Sequence, residues 1–209
     1  MEYSGQSAYG WAVPLLPSLE QAALHNRIDR SQLIDHSANE TARQTSLALL
    51  LCPSDIAEPT FTLFAEEGPP GSPTALVDLP TTNYVGVFGT FEADDEVPPP
   101  PGDCVFIGPR AVRFAEVRRG LSNTIFVGER TMARVPSTWL GIDFRGEDAA
   151  CRLVGNAEIA PSCNPCDECE FDSRHPGGAN FLWGDGHVSL VSESIDSVEY
   201  RRLARRSGR

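Results

Sequence analysis

The chain has 209 residues, with 29 acidic and 17 basic side chains, a formal charge of −12 and a hydrophobic fraction of 41%. Every basic residue is an arginine, which excludes mechanisms that need a lysine, Schiff-base and phosphate-loop chemistry among them. So acidic a chain is a poor binder of nucleic acid or of anionic membranes, and its length fits one domain over residues 1–209.

The charge is uneven. Residues 201–209 hold five arginines and no acid, which leaves +5 on the tail and −17 on residues 1–200. Cations there suit a helix C-terminus; the sharper expectation is a basic patch that docks on the acidic face of a neighbouring copy. No run approaches the roughly 18 apolar residues of a membrane span, and the opening residues lack the basic and apolar regions of a signal peptide.

In Pro17-Ser18-Leu19-Glu20-Gln21, Ser18 reads as a helix N-cap with Gln21 reaching back to it, and the helix should run to about Ile28. Ser37 and Glu40 repeat the pattern and open a second short helix, followed by the apolar run 47–51 and the turn Cys52-Pro53-Ser54-Asp55. From there to about Ile107 prolines and glycines punctuate the chain, with one strand at 83–88 and a stiff polyproline loop at Pro98-Pro99-Pro100-Pro101. Short β-rich runs follow at 105–107, 112–114 and 124–127. The polar, cysteine-bearing stretch at about 145–172 then reads as an insertion in a surface loop.

Asp185-Gly186 between the runs 180–184 and 187–191 is the signal of a two-residue type I′ hairpin. That turn pairs Gly184 with His187, Trp183 with Val188, Leu182 with Ser189 and Phe181 with Leu190. Trp183, Val188, Phe181 and Leu190 should then share the apolar face. Asp196 and Glu199 cap a final helix ending near Gly208.

No Gly-x-Ser-x-Gly elbow, His-Glu-x-x-His pair or Gly-x-Gly-x-x-Gly loop occurs. His175 and Asp185 suggest a dyad, yet an extended strand from Ala179 to Asp185 spans about 20 Å, so the two should not meet. Asp185 reads as a turn former, and His175 as a structural hydrogen-bonding residue held extended by Pro176, with a metal or subunit-contact role as the alternative. His187 should be exposed or stacked beside the turn, and His25 and His36 have no partner pattern.

Cys151, Cys163, Cys166 and Cys169 form the densest constellation. Four thiolates suit tetrahedral zinc, four oxidised sulfurs make two disulfides in one of three connectivities, and free thiols are the third alternative. An iron–sulfur site lacks its further cysteine and proline. Cys52 and Cys104 are the remaining disulfide candidates, unless Cys52 has lost an upstream partner.

Several separated blocks have a common likeness. They are Gly10-Trp11 with Leu15-Leu16-Pro17-Ser18-Leu19-Glu20-Gln21, Leu51-Cys52-Pro53-Ser54-Asp55, Thr82-Asn83-Tyr84-Val85-Gly86, Gly120-Leu121-Ser122-Asn123-Thr124-Ile125 and Gly128-Glu129, then His175-Pro176-Gly177-Gly178 with Asp185-Gly186. In type and order they resemble the bacterial prepilin-like proteins of uncharacterised function whose C-terminal region carries a histidine, nine residues, then Asp-Gly. The likeness covers nearly the whole chain. Members of that family look like type II secretion pseudopilins and type IV pilins: a cleavable leader, a long apolar helix, then a β-rich head. This chain begins where that helix would already have ended, so it resembles the exposed head alone.

The resemblance implies an α+β pilin-like head, an antiparallel β-sheet with short flanking helices and long loops. It implies an exported protein of the periplasm or cell surface, which favours disulfides over zinc. The function implied is a non-enzymatic structural or assembly subunit, with other pilin-like subunits or secretion components as partners, no nucleic acid and no membrane insertion by this chain itself. Pilin-like subunits sometimes bind calcium in a C-terminal loop, and Asp167, Glu168, Glu170 and Asp172 offer hard oxygen ligands, though such loops are more often solvated. Two other classes compete. One is an extracellular solute- or glycan-binding module with Trp11, Trp139 or Trp183 as a stacking platform, Trp183 the weakest because its register turns it to the core. The other is a zinc-dependent hydrolase, if the cysteine cluster holds a metal with an open position.

Overall fold

The computed structural model describes residues 2–4, 6–67, 72–94, 101–106, 108 and 110–208. Within them the chain is α+β, with short helices, long loops and three small sheets whose pairings are antiparallel with one exception. The first sheet holds β1 (Glu2–Ser4), β2 (Ser7–Tyr9) and β8 (Gly141–Asp143) in the order β1-β2-β8. The second holds β3 (Thr60–Phe64), β4 (Ala75–Thr82) and β7 (Ser137–Thr138), in that order. The largest sheet has the order β11-β10-β6-β5-β9. It is built from β5 (Tyr84–Gly89), β6 (Ile125–Glu129), β9 (Val154–Asn156), β10 (Gly178–Trp183) and β11 (Val188–Ser192). The helices are α1 (Ala22–His25), α2 (Glu40–Arg43) and α3 (Ser197–Ala204).

β4 and β5 belong to different sheets and are separated by Asn83 alone. That corner is buried and must satisfy its polar atoms internally. It does so completely: Asn83 N–H donates to Leu50 O, its carbonyl accepts from Arg130 N–H, and its side-chain amide accepts from Cys52 N–H and donates to Asp55 and to Arg130 O.

α3 covers the large sheet, with Tyr200 against Phe181 at 6.1 Å between ring centroids and Phe181 against Phe171 at 4.9 Å. Each such fully buried side chain contributes roughly 1.5–3 kcal/mol. Gly128 lies beneath these rings, where an added Cβ would come within 2.4 Å of Phe181 and 2.5 Å of Phe171. Asp196 caps α3 as the sequence predicts, accepting from the N–H groups of Val198 and Glu199, though the helix stops at Ala204 rather than near Gly208.

Several expectations need correction. Ser18 is no N-cap: it lies inside a 3-10 helix (Val13–Leu19) that ends at left-handed Glu20, and α1 begins after it. The second helix forms as expected, but His36 rather than Ser37 caps it, through its imidazole and Ala38 N–H. Residues 112–114 form no strand, a 3-10 turn (Phe114–Glu116) starting there instead, and no strand forms at 105–106. Residues 98–100 of the polyproline loop and Ile107 lie outside the described residues.

The final hairpin is also displaced by one residue. Leu182 pairs with Val188 and Phe181 with Ser189, and the connection is a three-residue loop, Gly184-Asp185-Gly186, with Gly186 at a φ of +93°. A one-residue slip exchanges the faces of a strand. Phe181 and Val191 face the core, while Leu182, Val188 and Leu190 are 39%, 63% and 48% exposed. The cause lies in the neighbouring strand: Gly184 N–H bonds Thr124 O, and an added Cβ on Gly184 would meet the Phe126 ring at 2.7 Å. Docking on β6 removes Gly184 from the hairpin ladder.

Nor is the stretch at about 145–172 a surface insertion. Its β9 pairs in parallel with β5 at the edge of the large sheet, and Cys151, Leu153, Val154 and Phe171 are buried. Its backbone folds around Arg130, whose guanidinium donates to Glu170 O (3.0 Å), Val154 O (3.3 Å), Cys151 O and Cys169 O and stands over the Phe171 ring. Burial lowers the pKa of Arg130 to about 9 and raises that of Glu170 to about 8, outweighing their mutual attraction.

Candidate functional site

Three of the sequence blocks converge where β4 bends into β5. Cys52 comes from the turn after the apolar run 47–51, Glu129 from the end of β6, and His175 from the segment that leads into β10. Glu129 Oε1 lies 3.4 Å from His175 Nε2 and 4.0 Å from Cys52 Sγ, and Cys52 Sγ lies 3.7 Å from the same Nε2. Cys52 and Glu129 are buried, and the His175 side chain is 32% exposed.

Each member is held from behind. The other Glu129 oxygen, Oε2, accepts from Ser173 Oγ–H (2.9 Å) and Asn180 N–H (2.8 Å). Asn83 Oδ1 accepts from Cys52 N–H at 2.9 Å, and His175 N–H donates to Ser173 Oγ at 3.2 Å. Beside them the buried Asp55 carboxylate accepts from Arg174 Nε (2.6 Å), Asn83 Nδ2 (2.7 Å), Met132 N–H (2.8 Å), Ile56 N–H (2.9 Å) and Thr131 Oγ1–H (3.0 Å). Burial alone would raise the Asp55 pKa; the hydrogen bonds from Met132, Arg174, Thr131 and Ile56 overcome this and hold it below the ordinary value. Left-handed Gly177 (φ +89°) and Gly178 then turn the chain from His175 into β10.

Chemically, the arrangement is not a thiol-activating triad. Such a triad places nucleophile and orienting carboxylate on opposite ring nitrogens of the histidine. Here both Cys52 and Glu129 face Nε2.

Residues 2–198 match the family model described as a protein of unknown function, DUF1559. The chain belongs to the DUF1559 family. No curated protein and no solved structure matches it.

In this DUF1559 chain the remaining predicted residues are dispersed. His175 and Asp185 do not meet: Asp185 sits in the hairpin loop and binds His187 Nδ1 at 2.6 Å, and His187 stacks on Trp183 at 5.0 Å. Cys151 pairs with Cys169 and Cys163 with Cys166, so the four-thiolate zinc site does not form. Two disulfides belong to an oxidising compartment. Cys52 and Cys104 do not pair with each other; both are buried free thiols, with the Cys104 thiol donating to Ile125 O.

The four acids proposed for calcium do not converge. Glu170 is buried, Asp172 pairs with Arg134 at 3.2 Å, and only Asp167 and Glu168 stay together, on the surface. Trp139 is buried and Trp183 half-buried, so the three tryptophans make no platform; Trp11 lines a cavity. The arginine tail engages its own chain, Arg205 with Asp103 and Arg206 with the carbonyls of Gly102 and Cys104. No helix among the described residues is long and apolar enough to cross a membrane.

Sequence reasoning missed Glu129 and Asp55 as site members. Both stand in quoted blocks, Gly128-Glu129 and Leu51-Cys52-Pro53-Ser54-Asp55. The available signal was the clustering of polar residues within otherwise apolar segments.

Proposed function

We propose that the chain is the exposed head of an exported, pilin- or pseudopilin-like protein of the periplasm or cell surface, a non-enzymatic subunit that works by contact with other pilin-like subunits. The observation that carries this reading is the outer hairpin of the large sheet. β11 is an edge strand, and its exposed Val188 and Leu190 form an apolar stripe with exposed Leu182 of the neighbouring β10. A strand edge with apolar side chains is a natural template for a second subunit. Two disulfides and family membership over nearly the whole chain support export and the prepilin-like assignment.

The test places the chain behind a prepilin leader and apolar helix in a host with a type IV pilus or type II secretion system. Processing by the prepilin peptidase and entry into pili or secretion complexes are expected, with V188D/L190D blocking entry but not folding. Failure to enter either assembly contradicts the reading.

A second reading has its own observation. A 560 Å³ cavity is walled by Trp11, Phe106, Phe114 and Phe126, with Arg110 on its lining. Cavities of this size and character take small organic ligands, which suits an extracellular solute- or glycan-binding module. Saturable quenching of tryptophan fluorescence by an oligosaccharide, lost in W11A, would put this reading ahead.

A further inference from the structure

Cys52, Glu129 and His175 present one sulfur, one oxygen and one nitrogen toward a common point. Zinc bonds of about 2.0–2.3 Å place neighbouring donors of a tetrahedron roughly 3.3–3.6 Å apart. The observed separations are 3.4 Å for Nε2 to Oε1, 3.7 Å for Nε2 to Sγ and 4.0 Å for Sγ to Oε1. Only the last edge must close, by a few tenths of an ångström. Among the described residues the other grouping of this kind, Asp94 with Cys151 and Cys169, has its sulfurs committed to a disulfide.

We propose that Cys52 Sγ, Glu129 Oε1 and His175 Nε2 form a binding site for a borderline transition-metal cation, zinc(II) by preference, with the fourth position open to water or to a donor from another molecule. Three features beyond proximity point to a metal. The ligand residues are already held by outer hydrogen bonds of the kind that orient metal sites: Ser173 and Asn180 donate to the Glu129 carboxylate, and the Cys52 backbone N–H donates to Asn83 Oδ1. The adjoining cleft, lined by Cys52, Glu129, Asn83 and Arg174 but not by His175, measures 10 Å³, too small for an organic ligand. The soft sulfur disfavours calcium and magnesium, and the mixed sulfur, nitrogen and oxygen set suits zinc.

Binding releases the thiol proton of Cys52 to solvent, and the cation bridges three segments 77 and 46 residues apart. Half-buried His175 is the most solvent-accessible of the three ligands. The site stands or falls independently of the pilin-like assignment, because metal binding is read on the isolated chain.

The experiment uses the full chain with both disulfides intact, stripped with a chelator and titrated with cobalt(II), then with competing zinc(II). One equivalent of cobalt should bind and give a thiolate-to-metal charge-transfer band, which zinc then displaces. C52S should abolish the band, and E129Q and H175Q should each weaken binding at least tenfold, while H187Q and C104S leave it unchanged. Wild-type protein provides a check that needs no variant: zinc should slow alkylation of Cys52 at least tenfold. Absence of the charge-transfer band in the wild type, or alkylation of Cys52 at the same rate with and without zinc, overturns the proposal.

Discussion

Asn83 Nδ2–H donates to Asp55 Oδ2 at 2.7 Å, and this bond ties the turn after Cys52 to the corner between β4 and β5. Through Asp55 the same corner reaches Thr131, Met132 and Arg174, the neighbours of Glu129 and His175. Removing the carboxylate strands several buried donors at once, at a cost of about 2–4 kcal/mol. Asp55→Ala should therefore lower the urea midpoint and loosen Cys52, seen as faster alkylation of its thiol. Because its folded pKa lies below the ordinary value, Asp55 contributes stability above that value, lost as pH falls through the folded one. Wild type and variant should converge in stability toward low pH.

Glu170 predicts the opposite trend. Its pKa is raised from 4.5 to about 8, chiefly by burial, so between those values the folded protein keeps a proton that the unfolded chain has released. Stability from this group falls as pH rises through that window. Glu170→Gln, which cannot ionise, should gain on the wild type by on the order of 3 kcal/mol between pH 5 and 8. Denaturant melts across that range measure the divergence; parallel curves would show that Arg130 keeps Glu170 ionised.

The two disulfides should contribute unequally. Cys151 and Cys169 are 18 residues apart in sequence, whereas Cys163 and Cys166 are separated by three. Loop entropy assigns the longer bridge about 3 kcal/mol, a loss of roughly 6–12 °C in Tm for a chain of this size. C151A/C169A should show that drop in calorimetry, and C163A/C166A a much smaller one.

The hairpin register has a mutational signature. With Val188 exposed and Phe181 buried, Val188→Asp should change stability by less than about 0.5 kcal/mol and Phe181→Ala should cost about 3–5 kcal/mol. In the register of a two-residue turn both side chains would share the core face and both changes would be severe.

Gly128 couples the core to the site. An alanine there presses on Phe171 and Phe181, an overpacking cost of about 1–3 kcal/mol, and displaces the adjoining Glu129. Gly128→Ala should weaken both folding and cobalt binding, which melts and titration of the same sample would show.

Much of the molecule was legible in the sequence wherever one local signal decided the outcome. The Asp196 cap, the helix at residues 37–43 and the strands at 84–89 and 125–129 follow from capping and β-rich patterning. What failed was decided at a distance. The hairpin slipped because Gly184 docks on Thr124 and Phe126 of the neighbouring segment, which no turn rule contains. The stretch at 145–172 looks like a loop by composition, yet its carbonyls are drawn inward to solvate Arg130. The strands at 60–64 and 75–82 were hidden by the prolines and glycines that flank them. In the site, His175 was visible with a metal as its alternative role, but its partners stand 123 and 46 residues away, and only the fold joins them.

Anomalous diffraction at the zinc edge, from crystals of the wild-type chain equilibrated with one equivalent of zinc, would locate a cation held by Cys52, Glu129 and His175. A zinc site built from these residues gives a single strong peak about 2.0–2.3 Å from Cys52 Sγ, Glu129 Oε1 and His175 Nε2. A density map with these three side chains well ordered and no anomalous peak between them would contradict it.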